Sequence, residues 1–152
     1  MNAAAVQGPP PGPRPGGGVY LHVPFCASLC SYCHFPRTDR HDAAQRRRLV
    51  EAVLAEFALR RAACATLRDG RRPALTCYVG GGTPSVLEPD LFVRLLQGTW
   101  GRLARSPRPE VTAEANPESF DEGRADAWRE AGVGRVSLGV QSLDADVLRL
   151  LG

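Results

Sequence analysis

The 152-residue chain contains no lysine; all 19 of its basic residues are arginine. They gather in no single stripe, and against 16 acidic residues they leave a net charge of only +3. That balance is too mild to mark a nucleic-acid-binding surface, so no nucleic acid partner is expected. Long apolar runs are missing as well: none approaches the roughly 18 residues that span a bilayer. The first residues lack the charged start and apolar stretch of a secretion signal. Residues 1–18 hold only Arg14, where a mitochondrial transit peptide would be rich in arginine. These absences lead to the expectation of a soluble intracellular protein, cytoplasmic, with the mitochondrial matrix as the alternative.

What is present suffices for one modest domain with a packed core: 43% of the residues are apolar. Residues 1–18, mostly Pro, Gly and Ala, bury too little apolar surface to offset chain entropy and are expected to be disordered. From Val19 onward, strand and helix patterns alternate. Strands are expected at 19–23, 75–79, 111–115 and 135–140, from short runs rich in β-branched and aromatic residues. Between them the helical spacing appears first at about 43–67, with Leu49, Val50, Val53, Leu54 and Phe57 on one face. A second helix opens at Pro89, a third spans about 121–131 with Ala125 and Trp128 inward, and Gly132 caps it. A last helix is capped by Asp144, with Val147, Leu148 and Leu151 inward. Four βα units in succession imply a parallel α/β sheet with right-handed crossovers, whose functional groups sit on loops after the strands.

Five cysteines is an odd number, and three of them fall within eight residues: Cys26, Cys30 and Cys33. In a reducing compartment that crowding favours metal over disulfides. Three thiolates at C-x3-C-x2-C spacing suit three irons of a [4Fe–4S] cluster, leaving the fourth iron open to a small ligand with an amine and a carboxylate. Two other readings remain: a zinc site with His34 as fourth ligand, and three structural cysteines. Zinc sites usually pair two separated ligand groups, and adjacent Cys33 and His34 grip one tetrahedral ion poorly. Cys64, in the long helix, and Cys77, in a strand, read as small core residues.

Other candidates follow strands. Gly80, Gly81, Gly82 and Thr83 end the second one; glycines allow close backbone approach to a ligand, although the run also reads as a tight turn. No Lys-Ser or Lys-Thr follows, so it is not a phosphate loop. Glu114 ends the third strand, either as an exposed acid or facing a cationic ligand. Asn116 and Pro117 make a turn. Gln141 ends the fourth strand, where its amide suits a carboxylate or a ribose hydroxyl, or caps the helix that follows. Tyr20, His22 and His34 taken singly read as structural residues, and Arg46, Arg47 and Arg48 as a solvated helix surface.

The cysteine motif, with Tyr32 just before its last cysteine, resembles that of the radical S-adenosylmethionine (SAM) superfamily. The strings Tyr20-Leu-His-Val-Pro-Phe-Cys26, Gly-Gly-Gly-Thr-Pro-Ser at 80–85, Glu-Ala-Asn-Pro at 114–117 and Ser-Leu-Gly-Val-Gln-Ser at 137–142 resemble one branch of it. That branch holds the oxygen-independent coproporphyrinogen III oxidases and the HemW-like heme chaperones, and the likeness extends over residues 19–152.

The resemblance implies a partial (βα) barrel, with about four βα units present of about six. It implies a [4Fe–4S] cluster on Cys26, Cys30 and Cys33. It places S-adenosyl-L-methionine against Tyr20, Tyr32, Gly81, Gly82, Thr83, Glu114 and Gln141. A reduced cluster would give one electron to the sulfonium and release a 5′-deoxyadenosyl radical, so an electron donor is an expected partner, together with heme or a porphyrin. The oxidase branch carries another Cys two residues after the third cluster cysteine, where this chain has Phe35. That difference favours a heme chaperone over the alternative, oxidative decarboxylation of coproporphyrinogen III. With four units and an open parallel edge, the chain is expected to be the N-terminal portion of the core domain, with impaired use of the cofactor.

Overall fold

The computed structural model describes residues 17–64 and 73–151. Four parallel strands lie in chain order: β1 (Gly17–Val23), β2 (Ala74–Gly81), β3 (Arg105–Ala115) and β4 (Arg135–Leu138). The helices between and after them are α1 (Ala43–Ala63), α2 (Pro89–Gly98), α3 (Glu122–Glu130) and α4 (Ala145–Leu151). The expected α/β order of four βα units is therefore the observed one. The disorder expected of residues 1–18 falls on residues 1–16, outside the described residues; Gly17 and Gly18 already belong to β1. The expected extension of α1 past Cys64 likewise lies outside them.

Alternation along the strands gives the sheet two unlike faces. Leu21, Val23, Cys77, Val79, Val111, Ala113 and Ala115 are buried on one face. Val50, Phe92, Leu95, Leu96 and Trp128 from the helices join them in a single core. Phe92 and Trp128 stack with centroids 4.2 Å apart, locking α2 to α3. The other face carries Tyr20, His22, Tyr78, Gly80, Thr112, Glu114, Arg135 and Ser137. The register aligns Tyr20 with Tyr78, Tyr78 with Thr112, and Thr112 with Arg135. Parallel strands are usually apolar on both faces. A polar second face is where this fold puts its chemistry.

Local signals start the helices where they are found. Asp42 and Gln45 form a reciprocal capping box on α1, Pro89 is the first residue of α2, and Asp121 caps α3. Asp144 accepts from the backbone N–H groups of Asp146 and Val147 at the start of α4. Val147 and Leu148, expected inward, are each 41% exposed, because no described element covers that side of α4. Cys64 also departs from expectation. It lies at the C-cap of α1, past the buried stripe, and is exposed, whereas Cys77 is buried as expected. No helix among the described residues is long and apolar enough to cross a membrane.

Candidate functional site

The polar face opens at the C-terminal ends of the strands into a cleft of about 640 Å³. The loop after β1 forms one wall. It is closed at its base by two backbone bonds: Cys26 N–H donates to the Thr38 carbonyl (3.0 Å), and Thr38 N–H to that of Pro24 (2.8 Å). Between these anchors the loop carries Cys26, buried, and Cys30 and Cys33, half-buried; none forms a disulfide. All three line the cleft, with Tyr32 and Phe35. Among the described residues no three His, Cys, Asp or Glu side chains are collected into a metal-holding group. The thiols share a cleft rather than a point. His34, the fourth ligand of the zinc reading, is exposed and does not line it.

The glycine run after β2 packs against this loop. Gly82 N–H donates to the Val23 carbonyl (2.8 Å) and Thr83 N–H to that of Phe25 (2.7 Å). A Cβ on Gly82 would sit 2.9 Å from Cys26 Sγ and 2.7 Å from the Phe25 carbonyl oxygen, so the close approach requires glycine here. Gly81 has φ +124 and gives its N–H to Glu114 Oε2 (3.1 Å). The amides of the run are thus satisfied within the protein. What it offers a ligand is its close-lying backbone and Thr83. The Thr83 hydroxyl bonds the Cys26 sulfur; burial pushes that thiol up, while this bond and the Arg37 cation pull it back.

Glu114 lines the cleft, with Tyr78 O–H donating to its Oε1 at 2.7 Å. Tyr78 stacks against Tyr20, 6.2 Å between centroids. Both phenols are raised: Tyr78 first by its bond to Glu114, Tyr20 first by burial and then by the Glu114 charge. Tyr20 itself is 54% exposed and does not line the cleft, nor does Gly81. The Tyr20 hydroxyl meets His22 Nδ1 at 3.0 Å, while His22 Nε2–H donates to the Pro36 carbonyl at 2.9 Å, tying β1 to the end of the cysteine loop. On the far wall Gln141 lines the cleft with a left-handed backbone, φ 62. Such a conformation is uncommon for a residue other than glycine. Gly139 N–H donates to the Ala115 carbonyl at 2.9 Å, holding this wall to β3.

Several residues at the site carry no signal in the sequence. Arg46, read as solvated, has only 18% of its side chain exposed. Its Nε and Nη2 donate to the Glu88 carboxylate at 2.6 to 3.2 Å. Its Nη1 meets His41 Nδ1 at 2.9 Å. Because arginine only donates, His41 Nδ1 must accept, which leaves Nε2–H to donate to the Cys26 carbonyl at 3.0 Å. A chain of polar contacts from α2 thereby fixes the first cysteine. Ser85, fully buried, receives the Asn116 N–H at 3.0 Å and contacts the Ser119 hydroxyl at 2.6 Å, joining the glycine loop to the turn after Glu114. Arg37 also lines the cleft.

The donor chemistry suits an iron–sulfur cluster: three thiols free of disulfides on one cleft, a glycine beside the first sulfur, and a guanidinium nearby. The family described as "Radical SAM superfamily" matches residues 20–152. Radical S-adenosyl methionine domain-containing protein 1, mitochondrial, of Bos taurus is 39% identical over 152 residues, covering 95% of this chain and 32% of that protein. Heme chaperone HemW of Mycobacterium tuberculosis is 39% identical over 155 residues, covering 97% of this chain and 38% of that protein. Among solved structures, coproporphyrinogen III oxidase (HemN) from Escherichia coli, described as a radical SAM enzyme, superposes with a TM-score of 0.80 at 26% identity. That match covers 91% of this chain and 31% of the other. The chain spans about a third of the length of these relatives. With the family match running over residues 20–152, the chain belongs to the radical SAM superfamily.

Proposed function

We propose that residues 19–152 are the N-terminal portion of a radical SAM core in a HemW-like heme chaperone. Cys26, Cys30 and Cys33 hold its [4Fe–4S] cluster, and Tyr32, Gly82, Thr83, Glu114 and Gln141 receive S-adenosyl-L-methionine, with Tyr20 and Gly81 supporting Glu114 from outside the cleft. The family as a whole uses this cluster and this cofactor. Bound there, the cluster supplies the electron that cleaves a C–S bond of the cofactor. The protein's own part is placement. Glu114 sets a negative charge where the cofactor brings a positive one. Gly82 admits close approach, and the polar contacts through His41 hold Cys26.

The observation that carries the chaperone reading is Phe35. It is 64% exposed on the cleft, where the oxidase branch has a further cysteine. A protein named heme chaperone HemW among the relatives supports it. The second reading, a coproporphyrinogen III oxidase, draws on the likeness to HemN and on a 36% identical oxygen-independent oxidase of Cereibacter sphaeroides. In either reading the partners are heme or a porphyrin and a one-electron donor, in the cytoplasm or, as in the bovine relative's name, the mitochondrion.

The test is anaerobic reconstitution with iron and sulfide, followed by two incubations. One contains heme; the other contains coproporphyrinogen III, S-adenosylmethionine and dithionite. A stable heme complex with no porphyrin product is the expected result. Conversion of coproporphyrinogen III overturns the chaperone reading, and a chain that takes up no cluster overturns the cofactor assignment.

A further inference from the structure

Arg37 and Arg61 are the two half-buried arginines with no carboxylate partner among the described residues, and of these only Arg37 lines the cysteine cleft. Arg46, Arg94, Arg124 and Arg135 each pair with a carboxylate. No described carboxylate pairs with Arg37. Its guanidinium turns back across the cysteine loop instead. Nη2–H donates to the Cys30 carbonyl at 2.6 Å, and Nη1–H to that of Phe35 at 3.3 Å. These two bonds close a ring that includes Cys33. Carbonyl oxygens accept hydrogen bonds without cancelling the charge, so a whole positive charge remains on the wall that bears the three thiols. A further donor, Nε–H, is buried and has no acceptor among the described residues.

A half-buried cation without a counter-charge and a buried N–H without an acceptor are each costly. The uncompensated charge is relieved by an anionic group in the cleft. A cluster ligated by three thiolates is such a group, and it becomes one charge more negative when it accepts an electron. A fixed cation beside it favours the more negative state.

We propose that Arg37 tunes the cluster's reduction potential, its fixed charge favouring the reduced state on Cys26, Cys30 and Cys33. This rests on the cluster assignment above. The step concerned is uptake of one electron by the oxidised cluster from an external one-electron donor, dithionite in the test, with no bond formed or broken and no proton moved. The loop ring positions the guanidinium for this role. Arg37→Lys keeps the charge but loses the planar fork and the Nε–H. Arg37→Gln loses the charge as well.

The wild-type chain, Arg37→Gln and Arg37→Lys are reconstituted anaerobically without S-adenosylmethionine. Iron and acid-labile sulfide are counted, and the midpoint potential is read by electron paramagnetic resonance during titration with dithionite. Arg37→Gln is expected to load a cluster whose midpoint is more negative than wild type, with Arg37→Lys between the two. Equal midpoints in all three overturn the proposal, and so does loss of the cluster from both variants, which would make the residue a strut of the loop. A carboxylate of the cofactor could also satisfy the guanidinium. In that case Arg37→Gln would weaken S-adenosylmethionine binding and leave the potential unmoved, which again overturns the proposal. A wild-type chain that takes no cluster refutes the cofactor assignment together with this inference; a loaded wild type with an unshifted variant refutes this inference alone.

Discussion

Tyr78 holds the carboxylate of Glu114 at the mouth of the cleft: its O–H donates to Oε1 at 2.7 Å, while Gly81 N–H takes Oε2 at 3.1 Å. Tyr78 and Gly81 belong to β2 and Glu114 to β3, so the contact joins neighbouring strands where they end. It also aims the carboxylate by occupying it from the sheet side. Tyr78→Phe keeps the ring and its stacking on Tyr20 but removes the donor. Hydrogen bonds to charged groups are worth roughly 1.5–3 kcal/mol, and partial exposure here places the expected loss near ~1 kcal/mol. Urea denaturation should show that loss. Calorimetry on the reconstituted chain should show weaker S-adenosylmethionine binding, because Glu114 is freed to swing. Unchanged affinity would separate Glu114 from cofactor binding.

Gly82 tests the packing of the glycine run on the cysteine loop. An added Cβ would meet the Phe25 carbonyl oxygen at 2.7 Å and the Pro24 carbonyl carbon at 2.9 Å, both backbone atoms that yield only if the loop moves. Gly82→Ala is therefore expected to lower stability by about 1–3 kcal/mol, the usual cost of overpacking. It should also reduce iron incorporation, since the displaced atoms flank Cys26. Gly134→Ala is the control, because nothing lies within 4 Å of its new Cβ. Equal iron content in Gly82→Ala and Gly134→Ala would show that the run does not shape the cluster loop.

The strand and helix pattern was readable because it depends on near neighbours. Cys77 and Val79 alternate with Tyr78 and Gly80, and the stripe from Leu49 to Phe57 recurs at helical spacing. The placement of the three thiols, Gly82, Glu114 and Gln141 was readable for the same reason: each lies at or just after the end of a strand, and parallel strands end together. Long-range partners left no trace. Glu88 is 42 residues from Arg46, and Glu114 is 36 from Tyr78, so no local spacing joins them. The extra length of β3 was hidden too. Its start, Arg-Ser-Pro-Arg-Pro, has poor strand propensity, yet Arg105 aligns with Ala74 of β2 and Ala74 N–H donates to the Ala104 carbonyl at 2.8 Å.

Alkaline pH should weaken the fold before anything in the cleft is considered. Burial pushes the Cys77 thiol from 9.0 to about 12. Tyr78 and Tyr20 are raised above 10.0. A group with a raised folded pKa keeps its proton in the folded state after the unfolded chain has lost it. Its stabilising contribution is therefore complete below the unfolded pKa and declines as pH rises through the folded one. Denaturation midpoints should be level below pH 9 and fall progressively toward pH 12. Cys77→Ala removes the thiol at the expense of a small cavity, so its stability should be lower at neutral pH but flatter between pH 9 and 10. A parallel decline in both proteins over that interval would take Cys77 out of the account.

Gln141 combines strain with position. Its φ of 62 puts a side chain in the left-handed region, which costs roughly 1–2 kcal/mol for an ordinary L-residue. Strain of this kind persists only where surrounding structure enforces it, and it concentrates at functional sites. Here the enforcing bonds are local. Ser142 N–H donates to the Val140 carbonyl at 2.7 Å, and the Gly139 amide is held by Ala115. The turn directs an exposed amide onto the cleft wall opposite the cysteines. Gln141→Gly removes the steric cost but increases the entropy of the unfolded chain, so the two effects largely cancel. Its denaturation midpoint should match or slightly exceed wild type, while S-adenosylmethionine affinity falls by about tenfold, the equivalent of one lost hydrogen bond of ~1.4 kcal/mol. Gln141→Asn tolerates the left-handed backbone and keeps a shorter amide, so its affinity should lie between the two. If instead Gln141→Gly binds the cofactor as wild type does while unfolding at a distinctly lower midpoint, the amide serves the turn and not the ligand.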